Sequence, residues 1–228
     1  MMDFIKGEII LISKPLYWTS FDVVKRVRKA LEIKYNQPRI KVGHAGTLDP
    51  LATGLMIICT GKMTKEISKF QEYLKEYIAT MKLGATTPSF DLETEIDKNY
   101  AYSHINRNLI STTLKEYTGE QYQVPPSFSA KFVDGIRAYK YARNGEKINL
   151  RPNKILIKEI NIVKFELPLL EIKVTCSKGT YIRSLVRDIG SSLKSGAHLI
   201  KLVRTAIGNY NLSEAMSIDD FEKQLKFL

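Results

Sequence analysis

Residues 41–64 read KVGHAGTLDPLATGLMIICTGKMT, a glycine-punctuated loop with one aspartate, Asp49, running into an apolar segment from Leu55 to Cys59. The glycines on either side of the carboxylate, Gly46 and Gly54, allow backbone conformations closed to other residues, so another group can approach closely. Pro50 fixes the turn just after the carboxylate. Leu55-Met56-Ile57-Ile58-Cys59 has the length of a buried strand, and Gly61 ends it. A carboxylate on a tight loop that feeds a buried strand is held rigidly and can reach a cleft. A lone Asp-Pro would read as a turn cap, a frequent local use of aspartate.

Outward toward the N-terminus, Gly7 to Ser13 is predicted as a strand that stops at Lys14-Pro15. Ser20 is the predicted cap of a helix, with Val23, Val24, Val27 and Leu31 at helical spacing on its apolar side. The opposite side carries Lys25, Arg26, Arg28 and Lys29, a basic face suited either to phosphates or to solvent. Toward the C-terminus, Thr64 is the predicted cap of a second helix with Ile67, Phe70, Tyr73 and Leu74. From Glu76 to Thr86 the residues alternate, Tyr77, Ala79, Met81 and Leu83 against Ile78, Thr80 and Lys82, which predicts a strand. On this pattern alone Tyr77 reads as a core aromatic. Residues 84–97 are polar and acidic and predict a loop, in which Asp91 is a candidate structural partner for a base such as Arg183.

Residues 105–117 form a modest amphipathic helix. Between Gly119 and Pro152, Lys131, Arg137, Lys140, Arg143, Lys147 and Arg151 interleave with Tyr122, Phe128, Phe132, Tyr139 and Tyr141. Cations that meet phosphates and rings that stack on bases suit single-stranded or looped RNA; an aromatic mini-core under a surface loop is the bland alternative. Strands follow over 155–165 and 169–176. Thr180 is then the predicted cap of a helix with Ile182, Leu185, Val186, Ile189 and Leu193 on its buried stripe. Arg183 lies in its first turn, where free N–H groups favour anions and a guanidinium fork suits a carboxylate. Ser217 caps a last short helix.

Composition sets the bounds. The 228 residues carry 35 Lys and Arg against 24 Asp and Glu, a formal charge of +11, with a pI near 9.5. Such an excess predicts a polyanionic partner, nucleic acid above all. The 44% apolar content is that of a globular chain. Two cysteines, Cys59 and Cys176, both in apolar runs, make no disulfide framework, and no CxxC or Cys/His cluster suggests a metal. The N-terminal apolar run is too short and too acid-flanked for a signal peptide, and no stretch approaches a membrane span. The chain reads as soluble and cytoplasmic.

GHAGTLDPLATG, residues 43–54, resembles the catalytic motif of the TruB family of pseudouridine synthases, which isomerise a uridine, uridine 55, in the T-loop of transfer RNA. The resemblance extends to the Lys14-Pro15 pair, which in the family closes the first strand and supports the active-site loop. KEYIATMKLGATT, residues 75–87, resembles the second motif, whose tyrosine packs on the target base. KGTYIRSL, residues 178–185, resembles the third, whose arginine pairs with the catalytic aspartate. It implies Asp49, Tyr77 and Arg183 as the catalytic set, and a uracil pocket that includes His44, Tyr181 and Leu202. For His44 a general-base role is chemically conceivable; the resemblance implies seating of the flipped base instead. His104 and His198 lack a partner pattern and read as structural.

Residues of about 120–153 resemble the insertion that closes over the T-loop, with Lys131, Arg137, Lys140 and Arg143 as RNA contacts. Two departures occur there. The order is Ser129-Ala130-Lys131-Phe132 where the family has Ser-Ala-apolar-Lys, and Ile136 stands where a basic residue is usual.

The resemblance implies an α+β pseudouridine synthase fold: a mostly antiparallel mixed sheet flanked by helices and loops, with a central active-site cleft. It implies a single catalytic domain over 1–228, without the additional C-terminal RNA-binding module of longer relatives. The reaction involves neither redox chemistry nor hydrolysis, so no cofactor or metal is expected. The expected partner is the T-arm of transfer RNA. The compact chain favours the stand-alone bacterial type over guide-RNA-dependent archaeal and eukaryotic relatives, so no obligatory protein partner or guide RNA is expected. Two other classes account for parts of the pattern. A catalytically silent RNA-binding or RNA-folding module need not keep Asp49, Tyr77 and Arg183 together. A glycosidase needs a second carboxylate about 5–10 Å away, which the motif does not supply, and an Asp-x-Asp phosphotransferase fails at Leu51.

Overall fold

The structure, a computed structural model, describes residues 3–146 and 148–227; Lys147, one of the basic residues of the insertion, lies outside them. In chain order the elements begin with β1 (Ile9–Lys14), α1 (Ser20–Tyr35), β2 (Val42–His44), β3 (Ala52–Thr60), a 3-10 turn over Gly61–Glu66, α2 (Ile67–Glu72) and β4 (Lys75–Leu83). Next come β5 (Ala85–Thr86), β6 (Lys98–Asn99), α3 (Arg107–Glu116), β7 (Gly119–Gln123), β8 (Phe132–Val133), β9 (Ile136–Arg137) and α4 (Ala138–Arg143). The chain continues through β10 (Asn153–Glu166), β11 (Leu169–Cys176), α5 (Ile182–Ser192), β12 (Ala197–Ile207), β13 (Tyr210–Asn211) and α6 (Ile218–Phe227).

The main sheet has the strand order β1-β3-β12-β4-β11-β10-β7, with β2 on β3 and β13 on β12. The β12–β3 pair is parallel, whereas β1–β3, β2–β3, β12–β13, β10–β11 and β10–β7 are antiparallel. This is the α+β, mostly antiparallel mixed sheet expected. The chain divides into two compact units, residues 1–77 with 202–228, and residues 78–201.

In the first unit β3 is the centre. Its residues from Gly54 to Thr60 are buried on both faces, which is why the sequence there is a continuous apolar run rather than an alternation. β1 covers one edge in the register Ile9↔Cys59 to Lys14↔Gly54. On the other edge β2 pairs with Ile58–Thr60 and β12 with Ala52–Gly54. Leu55, Ile57 and Cys59 pack with Ala45, Phe70 and Ile207. The buried stripe of α1 is Val23, Val24, Val27 and Leu31, as the spacing predicts. α6 buries Ile218, Phe221 and Leu225, and Phe221 meets Phe4 edge-on at 5.9 Å.

In the first unit two predicted caps fall elsewhere. The cap of α1 is Thr19, one residue before Ser20, because Thr19 and Asp22 close a reciprocal capping box. Ser20 is the first helical residue, and its hydroxyl bridges the backbone of Leu48 instead. Thr64 caps nothing: it lies inside the 3-10 turn and donates to the Gly61 carbonyl. The Ser217 cap is present, its hydroxyl accepting from the Asp220 N–H at 3.1 Å.

In the second unit β11 and β10 form a long hairpin with two register shifts, and β7 adds to the far edge of β10. Tyr77, Ala79, Met81 and Leu83 of β4 are buried, in the predicted alternation. The predicted strand over 76–86 breaks at Gly84, whose φ of 92° interrupts the ladder between β4 and β5. The insertion carries more local structure than its composition suggests. β8 and β9 form a hairpin around Asp134-Gly135, both at positive φ, 47° and 78°, the geometry that an Asp-Gly pair favours in a two-residue turn. α4 follows directly. At the start of α5 the cap position belongs to Tyr181 rather than Thr180. The Gln123 side chain clamps Tyr181 there, accepting from its N–H at 2.8 Å and donating to its carbonyl at 3.1 Å.

Candidate active site

The Asp49 loop is fixed from several sides within the first unit. Arg204 of β12 is 1% exposed. Its Nε donates to the Leu55 carbonyl at 2.7 Å, Nη1 to Thr47 at 3.3 Å and Nη2 to Gly46 at 3.1 Å. One guanidinium thus ties the entry and the exit of the loop together. A Cβ on Gly54, at φ 111°, would run into the Arg204 backbone, so the close β3–β12 approach requires glycine there. Lys14, fully buried at the end of β1, donates to the carbonyls of Pro15 at 2.9 Å, Trp18 at 2.6 Å and Pro50 at 3.4 Å. The Tyr17 N–H also reaches the Pro50 carbonyl, at 2.8 Å, and the Ala52 N–H reaches that of Asp49 at 3.0 Å. The loop is therefore held largely through its backbone, and the Asp49 side chain on it is half-buried.

The electrostatics follow from this packing. Burial brings the Lys14 ammonium down to about 8; the Asp49 carboxylate acts against that shift, and the Arg204 cation adds to it. His44 closes β2 and is half-buried. Burial, helped by the nearby Arg204 charge, lowers its pKa, so the ring is neutral at pH 7. Its Nδ1 accepts the Gly46 N–H at 3.3 Å, which places the proton on Nε2 and makes that edge a donor. Leu202, buried, stands opposite Ala52 in the β3–β12 register, three residues beyond Asp49. Tyr77, at the first unit's boundary, is buried on the apolar face of β4, as its pattern predicts.

The second unit carries Tyr181, Arg183 and the insertion. Arg183 is 4% exposed and pairs with the equally buried Asp91, Nη1 to Oδ2 at 3.4 Å. It also donates to the carbonyls of Ser89 at 3.2 Å and Phe128 at 2.8 Å. The suspected Asp91–Arg183 partnership is thus present, and the same arginine anchors the root of the insertion. Arg187, one turn on, stacks over the Phe90 ring at 4.8 Å.

The four basic residues expected to meet RNA differ in their commitments. Lys131 is turned inward, onto the Arg151 carbonyl at 2.9 Å and Asn153 at 2.8 Å. Arg137 lies over the Phe132 ring at 3.8 Å and bonds the Ala130 carbonyl. Arg143 pairs with Glu93 at 2.7 Å. Lys140 is exposed.

His44, Asp49, Tyr77 and Leu202 belong to the first unit, and Tyr181 and Arg183 to the second. Arg204 escapes the sequence reading, although it lies two residues beyond Leu202, which the resemblance places in the uracil pocket. A cation on the buried side of an apolar strand was the available signal. Among the described residues no group of three or more His, Cys, Asp or Glu could hold a metal, and no described helix is long and apolar enough to cross a membrane.

Residues 28–182 match the family model of the TruB family pseudouridylate synthase N-terminal domain. Residues 183–228 match that of the tRNA pseudouridylate synthase B C-terminal domain, a segment running from α5 to α6. The chain is 56% identical over 226 residues to a tRNA pseudouridine synthase B of Parabacteroides distasonis, covering 98% of this chain and 96% of the relative. It is 50% identical over 225 residues to the Flavobacterium johnsoniae protein of the same name, covering 98% of each. Among solved structures, a chain of a Cbf5-Nop10-Gar1 complex superposes with a TM-score of 0.75 at 27% identity over 98% of this chain. This chain spans 56% of the length of that structure, so the shared part is the pseudouridine synthase fold. By its sequence over nearly its whole length, and by its fold, the chain belongs to the TruB family of pseudouridylate synthases.

Proposed function

We propose that the protein is a transfer-RNA pseudouridine synthase that converts uridine 55 of the T-loop to pseudouridine. The observation that carries this reading is the near-full-length identity of 50–56% to proteins named tRNA pseudouridine synthase B, with Asp49 on a backbone-strapped loop. The reaction breaks the N1–C1′ bond, turns the uracil, and rejoins it to C1′ through C5, with C5 giving up its proton and N1 taking one up. Substrate and product are isomers, so the atoms balance without a co-reactant.

Asp49 is proposed as the carboxylate that meets C1′ or C6 of the uridine, as nucleophile or as stabiliser of developing positive charge. A loop fixed by Arg204 and Lys14 supports this role, because positioning carries a large share of catalysis. Tyr77 is proposed to pack on the uracil, with Leu202 and Tyr181 lining the pocket and the Nε2–H of His44 seating the flipped base. Arg183 is proposed, on the family motif, to keep the Asp49 carboxylate ionised and oriented; Asp91 supports its orientation. Unstacking the uridine costs about a few kcal/mol. The chain's charge of +11 and the insertion of about 120–153 are suited to offset it through backbone contacts, with Lys140 and Arg143 presented more openly than Lys131 and Arg137. In this reading the whole chain works as one catalytic domain, in the cytoplasm, without a guide RNA.

The test is tritium release from transfer RNA carrying uracil labelled at C5. A transcript with the T-loop uridine should release one equivalent of label, and a transcript with cytidine at that position should release none from the T-loop. Equal release from both transcripts would contradict the assignment, as would tight binding with no release from either.

A further inference from the structure

The turn between β1 and α1 faces outward with unusual side chains. Tyr17 is 74% exposed, Phe21 65% and Leu16 44%, on a segment whose backbone is otherwise pinned. Tyr17 stands at φ 68°, in the left-handed region that favours glycine and that a bulky residue occupies only under strain. Its N–H is bonded to the carbonyl of Pro50, the residue after Asp49. A strained aromatic is thus held in fixed register to the catalytic loop while its ring stands in solvent. Tyr17, Trp18, Lys25 and Lys29 line, with Asp22 and Arg26, a surface cavity of about 460 Å³, a size that accommodates a nucleotide.

The charges around this cavity divide into committed and uncommitted. Asp22 is held by the Thr19 N–H and hydroxyl, and Arg26 pairs with Glu222. Lys25 and Lys29 are exposed and form no ion pair among the described residues, Lys25 acting on the Asp22 carboxylate only through its charge. A ring with two uncommitted cations beside it matches a base with its flanking phosphates: the stack is tolerant of sequence, and the cations track the backbone. We propose that this turn and the first turns of α1 form a docking site for an unpaired nucleotide of the substrate RNA, its base on Tyr17 and its phosphates on Lys25 and Lys29. The proposal rests on the transfer-RNA reading above and adds a binding surface outside the uracil pocket.

Tyr17→Gly separates docking from structure. Removing the ring should weaken binding of full-length transfer RNA about 5- to 150-fold, the span of a lost base stack, with the loss in KM and not in kcat. Glycine relieves the positive φ, so the variant should melt no lower than wild type; a purely structural ring would lower the melting temperature. Lys25→Ala with Lys29→Ala should reduce the slope of log affinity against log salt by about two. Binding by Tyr17→Gly within twofold of wild type overturns the proposal, including the case in which the face serves a protein partner. A salt slope unchanged by the double lysine variant overturns it as well. If the wild type binds RNA in a Tyr17-dependent way yet releases no tritium, the docking site stands and the isomerase reading falls. If the wild type releases tritium and Tyr17→Gly binds normally, the reverse holds.

Discussion

Arg204→Met is the most informative perturbation of the site's framework. In wild type one buried guanidinium makes three hydrogen bonds to the carbonyls of Gly46, Thr47 and Leu55. Hydrogen bonds to a charged group contribute about 1.5–3 kcal/mol each, and Met would leave all three acceptors without their donors. Against that, the variant no longer buries a charge, which returns several kcal/mol. The net loss of stability should be about 3–5 kcal/mol, read from urea unfolding with an unchanged m-value. The catalytic effect should be larger. Displacement of the Asp49 loop by about 1 Å costs on the order of 100-fold, so kcat should fall by that order at a temperature where the variant remains folded. Arg204→Lys keeps the charge but not the three-way fork and should recover only part of either quantity. A Met variant within about 1 kcal/mol of wild type in stability, with unchanged kcat, would refute the idea that this residue holds the loop.

Two further outcomes follow from buried charges. Lys14, brought down by burial from 10.5 to about 8, is charged in both folded and unfolded states below pH 8. Between about 8 and 10.5 the unfolded chain binds the proton and the folded one does not, so this residue's share of stability rises with pH across that window. The positive charge beside Asp49 is lost over the same range, so kcat should fall with an apparent pKa near 8, and Lys14→Arg, which does not titrate there, should flatten that limb. A pH–rate profile with no Lys14-dependent limb would contradict the assignment. Asp91→Asn leaves the Arg183 cation without the carboxylate seen at 3.4 Å. Breaking a buried pair from one side costs up to about 3–5 kcal/mol, so urea unfolding should show a loss of that order; a loss below about 1 kcal/mol would mean that other partners hold Arg183.

The sequence was most readable where local pattern and tertiary role agree. The Leu55–Cys59 run is a strand buried on both faces, and the alternation around Tyr77 matches β4 residue for residue. Helix starts were less legible, because Thr19 and Ser20 are adjacent and both are good caps; only the reach of Asp22 back to Thr19 decides between them. Thr64 misled because a hydroxyl in a 3-10 turn finds a carbonyl three residues back. Arg204 was illegible for a different reason: its partners are backbone carbonyls about 150 residues away in sequence, and carbonyls have no side-chain signature. Lys131 belongs with it, since composition marks a cation but not the side-chain turn that commits it to Asn153.

The central claim is that the Asp49 carboxylate, presented on its strapped loop, performs the isomerisation. Its most direct test is tritium release from C5-labelled transfer RNA by Asp49→Asn, measured beside binding of the same RNA. The account predicts no release above background, with affinity within a few-fold of wild type. Release by Asp49→Asn at the wild-type rate would contradict it.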